Sequence, residues 1–165
     1  MTENAPLTPT STTKFELEIP IQAPRNLVWE LVCDRPDDWW IGDYRCLGAD
    51  SRVVLDRRAG GALVEETPTG GSLLWFTVLA IEPQQSLNLA GTVAPPFGGP
   101  CQTTLLLQLE DHGTGPGGQG SGTLLRVTNA LHGHLTEGMV AEMRSGWQQL
   151  FSTGLKAVAE QNAPR

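Results

Sequence analysis

The sequence predicts an α+β fold in which a curved antiparallel sheet of about six or seven strands wraps around one long C-terminal helix. Three features of the sequence support this prediction: an alternating apolar segment near the N-terminus, short connections between the strand-like segments that follow, and a single long amphipathic segment after all of them. A sheet must cover its apolar face, and this last segment is long enough to do so. We therefore expect the helix to pack inside the curve of the sheet.

The first elements are a strand and a helix. From Phe15 to Ile21, apolar residues alternate with polar ones, which is the two-residue period of a strand with one buried face. After Pro24, apolar residues recur at three- and four-residue spacing, which is typical of a helix. The segment "DDWWIGDY", after Pro36, indicates one or two further helical turns. Two short helices should thus follow the first strand.

The middle of the chain predicts strands joined by tight turns. Two strands should meet at Ala59 to Gly61, because paired glycines supply the positive φ angles of hairpin turns. A longer strand should turn at Glu82 to Gln85 into another strand. In that longer strand both alternating sets are largely apolar, so the pattern does not decide which set faces the helix. One set is Trp75, Thr77, Leu79 and Ile81, and the other is Leu74, Phe76 and Val78.

The stretch "HGTGPGGQGSG", from His112 to Gly122, contains glycines at the spacing of a dinucleotide-binding fingerprint. Such a site requires a helix after the glycines, whose N-terminus meets the pyrophosphate. Here the strand-like segment "TLLRVTNAL" follows instead. The glycines therefore indicate a long, flexible hairpin connection between the last two strands. The final helix should begin near Thr136, a good N-cap residue.

Composition narrows the class of protein. A chain of 165 residues suits one domain, expected over residues 14–162 after a disordered lead-in at residues 1–13. The net charge of −7 argues against nucleic acid and anionic lipid as partners, and no apolar run is long enough to cross a bilayer. Three cysteines without a CxxC pair and the lack of a signal-like N-terminus indicate a cytoplasmic protein without a disulfide framework.

Several motifs in order resemble one known family, the SRPBCC or START-like superfamily, whose fold is called the helix grip. Within it, the chain resembles the bacterial relatives of the activator of heat-shock-protein ATPase. The match covers roughly Phe15 to Glu160. The resembling segments are "IQAPRNLVWELVCD", the pair Trp39-Trp40, "RRAGGAL", "VLAIEPQQSLNL", "GTLLRVTNALHG" and "GWQQLFSTGLKAV".

The resemblance implies an apolar cavity between the sheet and the long helix. Members of the family bind hydrophobic ligands, act as cyclases or hydrolases, or bind protein partners, so the fold alone does not fix the function. We expect seven residues to line the ligand cavity. They are Trp40, Trp75, Phe97, Asn129, Met139, Met143 and Trp147. Asn129 shares a strand face with apolar neighbours, and its amide either orients a polar end of a ligand or bonds the backbone of the core.

The sequence offers little chemistry beyond this cavity. His132 and His134 would share a strand face but lack the further ligands that a zinc site needs. Asp37 and Asp38 lie beside two tryptophans, where desolvation would raise a carboxyl pKa, but such carboxylates also suit the first turn of a short helix. No nucleophile elbow occurs. We expect no catalytic residue, metal or cofactor.

Three functions remain open at this point. The first, which the sequence favours, is non-enzymatic binding of a small hydrophobic or amphipathic molecule by a monomer or homodimer. The second is binding of a protein partner in a co-chaperone-like role, although the chain has no room for the separate N-terminal chaperone-binding domain of the eukaryotic activator. The third is a cyclase- or hydrolase-like enzyme, which requires polar groups with perturbed pKa values in the cavity.

Overall fold

The computed structural model describes residues 6–113 and 122–164. In these residues the chain forms one antiparallel sheet of seven strands, in the order β1-β7-β6-β5-β4-β3-β2. The curved sheet and the long C-terminal helix confirm the predicted α+β class. The strands are β1 (Ser11–Ile21), β2 (Arg52–Leu55), β3 (Ala62–Glu66), β4 (Ser72–Glu82), β5 (Ser86–Val93), β6 (Cys101–His112) and β7 (Gly122–Gly133).

The helices lie in two stretches of the chain. Helix α1 (Arg25–Cys33) and the 3-10 turns Pro36–Asp38 and Gly42–Tyr44 connect β1, at one edge of the sheet, with β2 at the other. A third 3-10 turn, Pro95–Phe97, lies between β5 and β6. The C-terminal helix has three consecutive parts: α2 (Glu137–Gln149), a π-helical part (Leu150–Lys156) and α3 (Ala157–Asn162). No helix of the described residues is both long and apolar enough to span a membrane.

Strand β1 starts earlier than the sequence pattern indicated. Ser11, Thr12 and Thr13 pair with the end of β7, although we expected them to belong to the lead-in at residues 1–13. These three residues are polar and their side chains are largely exposed, so they carry no alternating apolar signal. The pairing with β7 orders them instead. Residues 1–5 lie outside the described residues.

The glycine-rich stretch is flanked by two paired strands. Strands β6 and β7 are antiparallel, and His112 lies opposite Gly122 at the end of their register. A strand, not a helix, therefore follows the glycines, as the sequence indicated. Residues 114–121, on which the prediction of a flexible connection falls, lie outside the described residues.

Two β-bulges in β4 decide which of its residues face the core. Leu63 of β3 pairs with Phe76 while its neighbour Val64 pairs with Leu74, so Trp75 is an extra residue in β4. A second shift beside Val78 makes Leu79 the extra residue. Each bulge moves the alternation by one position. Neither sequence-derived set is therefore the inner face: Phe76 and Val78 are buried, and Trp75 and Ile81, from the other set, also pack on the core.

The C-terminal helix has a capped N-terminus and a close backbone contact in its π-helical part. Thr136 is the N-cap, as expected, and its Oγ1 accepts a hydrogen bond from the backbone N–H of Met139 at 3.1 Å. In the π-helical part, Gly154 lies against the backbone of Trp39, and a Cβ atom on this residue would be 2.2 Å from the Trp39 carbonyl oxygen. Only glycine permits this approach.

We predict that Gly154→Ala lowers the free energy of unfolding by about 1–3 kcal/mol, because the added methyl group must push the helix away from Trp39. The measurement is equilibrium urea denaturation. Gly138→Ala is the matched control, since Gly138 lies in the same helix and a Cβ there meets nothing within 4 Å. The control should be neutral or slightly stabilising. Equal stability of the two variants would show that the helix does not depend on the contact with Trp39.

Candidate ligand cavity

A cavity of about 480 Å³ lies under the N-terminal half of the C-terminal helix. Its floor is formed by β4, β5 and β6, and one side is formed by the loop that contains the turn Gly42–Tyr44. The helix covers it with side chains from α2 and with Leu150. Phe97 and Leu74 border the cavity and are 60% and 58% exposed, so they lie at its mouth.

Two pairs of aromatic rings border the cavity. The rings of Trp40 and Trp75 are 5.2 Å apart, and those of Phe76 and Trp147 are 5.9 Å apart. Trp147 also stacks on Phe151, at 5.7 Å, in the core behind the cavity. Such ring pairs pack rigidly and add to the stabilisation that their buried area provides. The wall is therefore held in shape by the core.

The structure brings five of the seven predicted cavity residues together. Trp40, Trp75, Phe97, Met143 and Trp147 all border the cavity. Whether they contact a ligand stays a prediction.

The other two predicted residues do not border the cavity. Met139 lies outside the wall, next to Gly98 in the loop that follows Phe97. Asn129 is fully buried in β7, behind the wall. Its Nδ2 donates to the Thr104 carbonyl oxygen, at 2.8 Å, and to Thr103 Oγ1, at 2.7 Å. The sequence left two roles open for Asn129, and the hydrogen bond to the Thr104 carbonyl is the structural one, a bond to the backbone of the core.

Thr103 is the buried polar residue of the cavity wall that sequence reasoning missed. It is buried, borders the cavity and holds a hydrogen bond from Asn129. Its neighbour Thr104 is exposed on the opposite face of β6. Two consecutive threonines in a strand carry no signal that one hydroxyl faces a cavity. The pairing of Thr103 with Gly91 and Leu131 in the sheet decides it.

Trp147 carries a polar atom that the protein does not use. Its Nε1 is buried and has no hydrogen-bond partner among the described residues. Three of the other tryptophans donate to protein oxygens: Trp39 to the Leu31 carbonyl, Trp40 to the Tyr44 carbonyl and Trp75 to Glu65. Buried N–H groups are nearly always paired, so Trp147 Nε1 is an exception in this core.

Glu65 is a buried carboxylate directly behind the wall. It accepts hydrogen bonds from the backbone N–H groups of Cys46 and Leu47, the Ser51 hydroxyl and Trp75 Nε1. Burial alone would raise its pKa, but the hydrogen bonds from Ser51, Leu47, Cys46 and Trp75 together outweigh burial and lower it. Glu65 therefore stays ionised and ties the loop beside the cavity to β3 and to Trp75.

The two aspartates beside the tryptophans have structural partners. Asp37 Oδ1 accepts from the Val53 backbone N–H at 2.8 Å and pairs with Arg45 at 2.9 Å. Asp38 pairs with Arg35 at 2.6 Å. Both carboxylates thus hold the chain around the 3-10 turn Pro36–Asp38. Neither borders the cavity.

Metal binding and thiol chemistry find no support in the part of the chain that the structure describes. No group of three or more His, Cys, Asp or Glu side chains is placed to hold a metal ion there. His132 Nδ1 instead lies 2.8 Å from the Thr12 hydroxyl.

Cys46 borders the cavity, and burial together with the nearby Glu65 charge raises the pKa of its thiol. Burial raises the pKa of Cys33 to about 12. Both shifts oppose thiolate formation.

Solved structures share this fold. CalU16 from Micromonospora echinospora is 21% identical over 88% of this chain and 83% of that chain, with a TM-score of 0.56. Mll3558 from Rhizobium loti is 18% identical over 88% and 96%, with a TM-score of 0.64. Ara h 8.0201 is 12% identical over 92% and 100%, also with a TM-score of 0.64. The chain has the helix-grip-like α+β fold of these structures. No protein-family model and no curated protein matches the chain.

We predict that Glu65→Gln lowers the free energy of unfolding at neutral pH by about 1–3 kcal/mol, because the new amide faces four donors with one acceptor atom. The lowered pKa also makes wild-type stability acid-sensitive. The contribution of Glu65 is complete above the ordinary carboxyl pKa of 4.5 and is lost as the pH falls through the lower pKa of the folded state.

Urea denaturation between pH 7 and pH 3 measures both effects. Glu66→Gln is the matched control, because Glu66 is the next residue in β3 and makes only a long pair with the exposed Arg52, at 3.5 Å. Glu65→Gln should flatten the acid side of the stability curve, and the control should not. If both variants follow the wild-type curve, the Glu65 hydrogen bonds do not stabilise the fold.

Proposed function

We propose that the protein binds a small, predominantly apolar molecule in the cavity between the sheet and the C-terminal helix. The cavity volume of about 480 Å³ lies within the range of known small-molecule sites, roughly 300–1,000 Å³. The wall combines aromatic and aliphatic side chains with a few polar atoms, which is the usual composition of such sites.

The observation that carries the proposal is the size of the space in an otherwise filled core. Protein interiors are packed so closely that few voids exceed a water molecule. On the other side of Trp147, the space among Trp39, Leu105 and Phe151 is only about 20 Å³. Among the described residues, the chain therefore packs well at this second space and leaves a much larger one under α2. An apolar ligand would recover the contacts that the wall lacks.

The proposal also covers the branch of the family, the class of partner, the location in the cell and the extent of the domain. The ordered motifs support the branch of bacterial relatives of the heat-shock-protein ATPase activator. The acidic net charge of −7 supports a small-molecule partner over nucleic acid, and the absence of disulfides among the three cysteines supports the cytoplasm. We also propose one domain ending at residue 162, with its first strand beginning at Ser11.

We predict that the neutral dye Nile red binds the wild-type protein with a rise in fluorescence, and that Ala94→Trp abolishes this binding. Ala94 borders the cavity next to Phe97, so an indole there occupies the mouth. Ala80→Trp is the matched control, because Ala80 is exposed on β4 and does not border the cavity. A fluorescence titration of the three proteins measures the affinities. Equal binding by both variants would place the dye elsewhere, and no binding by the wild type would count against the proposal.

A second readout uses the cysteines. Cys46 is exposed and borders the cavity, whereas Cys33 and Cys101 are buried. Saturating Nile red should slow the alkylation of Cys46 by a maleimide, followed by mass spectrometry, in the wild type and in Ala80→Trp. An unchanged alkylation rate at dye saturation would also place the dye outside the cavity.

A further inference from the structure

The cavity wall carries one charged side chain among the described residues, and that side chain is acidic. Glu142 borders the cavity from α2 and is exposed, so it lies where the cavity meets the solvent. It forms no ion pair in the described part of the chain. No Lys, Arg or His of these residues borders the cavity. A ligand at the mouth therefore meets a carboxylate without a cation beside it.

Two arginines close to the cavity in sequence have other partners. Arg45, in the loop beside the cavity, pairs with Asp37 at 2.9 Å. Arg144, the basic residue of α2, lies over the ring of Phe15 in β1, 5.7 Å from the ring centroid. Neither arginine borders the cavity. The charge of Glu142 at the mouth is therefore not balanced by either of them.

A second negative charge lies behind the wall. Glu65 is held by neutral hydrogen-bond donors, and it too forms no ion pair among the described residues. One of its donors is the indole of Trp75, which borders the cavity. A carboxylate or phosphate in the cavity would lose its hydration without meeting a cation, and both glutamates would repel it. The charges therefore disfavour an anionic ligand.

Two hydroxyl groups of the wall already donate to protein acceptors. Tyr44 donates to Gln149 Oε1 at 3.0 Å, and Thr92 donates to Gln102 Oε1 at 3.0 Å. Glu142 differs from them, because its carboxylate is an acceptor at the surface and has no basic partner among the described residues. A carboxylate only accepts hydrogen bonds, and a charged donor is its strongest partner. The polar end that suits this mouth is therefore a cation with N–H groups.

Resting on the ligand-binding function proposed above, we propose that the cavity selects apolar molecules that carry one amine, with the apolar body against the aromatic wall and the ammonium group beside Glu142. The ammonium group keeps part of its hydration there, because Glu142 itself is exposed. An exposed ion pair adds little affinity. The apolar contacts therefore supply most of the affinity, and Glu142 sets the preference for a cation over a neutral or anionic molecule of the same shape.

The test compares three matched molecules by displacement of Nile red at low salt and neutral pH. The amine 9-(aminomethyl)anthracene is cationic, the alcohol 9-anthracenemethanol is neutral and the carboxylate 9-anthraceneacetate is anionic. The wild type should bind the amine about threefold more tightly than the alcohol, which is the scale of one exposed ion pair. It should bind the carboxylate about tenfold more weakly than the alcohol, because the anion loses hydration without a cationic partner. Added salt should reduce the preference for the amine, since it screens exposed charges.

Two variants change the charge at the mouth. Glu142→Gln should lower the ratio of amine to alcohol affinity about threefold, and Glu142→Lys should weaken the amine further and strengthen the carboxylate. Glu137→Gln and Glu137→Lys are the matched controls, because Glu137 is exposed in the first turn of the same helix and does not border the cavity. They change the net charge by the same amount and should keep the wild-type order. The alcohol affinity of each variant reports whether its cavity is intact.

The outcomes separate the two proposals. Equal wild-type affinities for the three molecules, or tightest binding of the carboxylate, would overturn the charge selection and leave ligand binding standing. An amine preference that Glu142→Gln retains would also overturn it, as would an equal loss in Glu137→Gln, because the preference would then come from the overall charge. If the wild type bound none of the molecules and no dye, the proposed function itself would fail.

Discussion

The contact between Gly154 and the Trp39 carbonyl oxygen determines where the cavity lies. Because no side chain separates the helix from this backbone, the π-helical part sits directly on the core, and Leu150, Phe151 and Leu155 are buried there. In α2, by contrast, Trp147 is the one buried residue. The helix is thus anchored by its second half. Its first half spans the curved sheet at a distance that its side chains do not fill, and this distance is the height of the cavity.

The opposite wall depends on the buried Glu65. An unpaired charge in this position would destabilise the fold severely, and hydrogen bonds from two backbone groups and two side chains offset that cost. Those donors belong to the loop around Cys46 and Leu47, to Ser51 and to Trp75. The carboxylate therefore fixes the loop and the bulged indole relative to each other. One carboxylate thus holds together a wall that is made of a loop and a β-bulge.

The element order, the helix cap at Thr136 and the inner face of β1 followed from the sequence, because each depends on local periodicity or a local hydrogen bond. Met143 and Trp147 in the long helix and Trp40 and Phe97 in the loops beside it border the cavity because the architecture alone brings them there, whereas Trp75 reaches it as the extra residue of a bulge. The inner face of β4 could not be predicted. It depends on two bulges, and these arise from pairing with β3 and β5 rather than from the pattern within β4. The roles of Thr103 and Glu65 could not be predicted for a similar reason, because they come from partners distant in sequence. The partner is Asn129 for Thr103, and residues 46–51 and Trp75 for Glu65.

The unpaired N–H of Trp147 is best understood together with the packing of its ring. The indole lies between Phe76 and Phe151. Its ring therefore makes favourable contacts whether or not its N–H has a hydrogen-bond acceptor. The stabilisation from these ring contacts offsets the cost of leaving the buried N–H without a hydrogen bond. The stacked ring is therefore what Trp147 contributes to the wall, and it joins one side of the cavity to the core behind it.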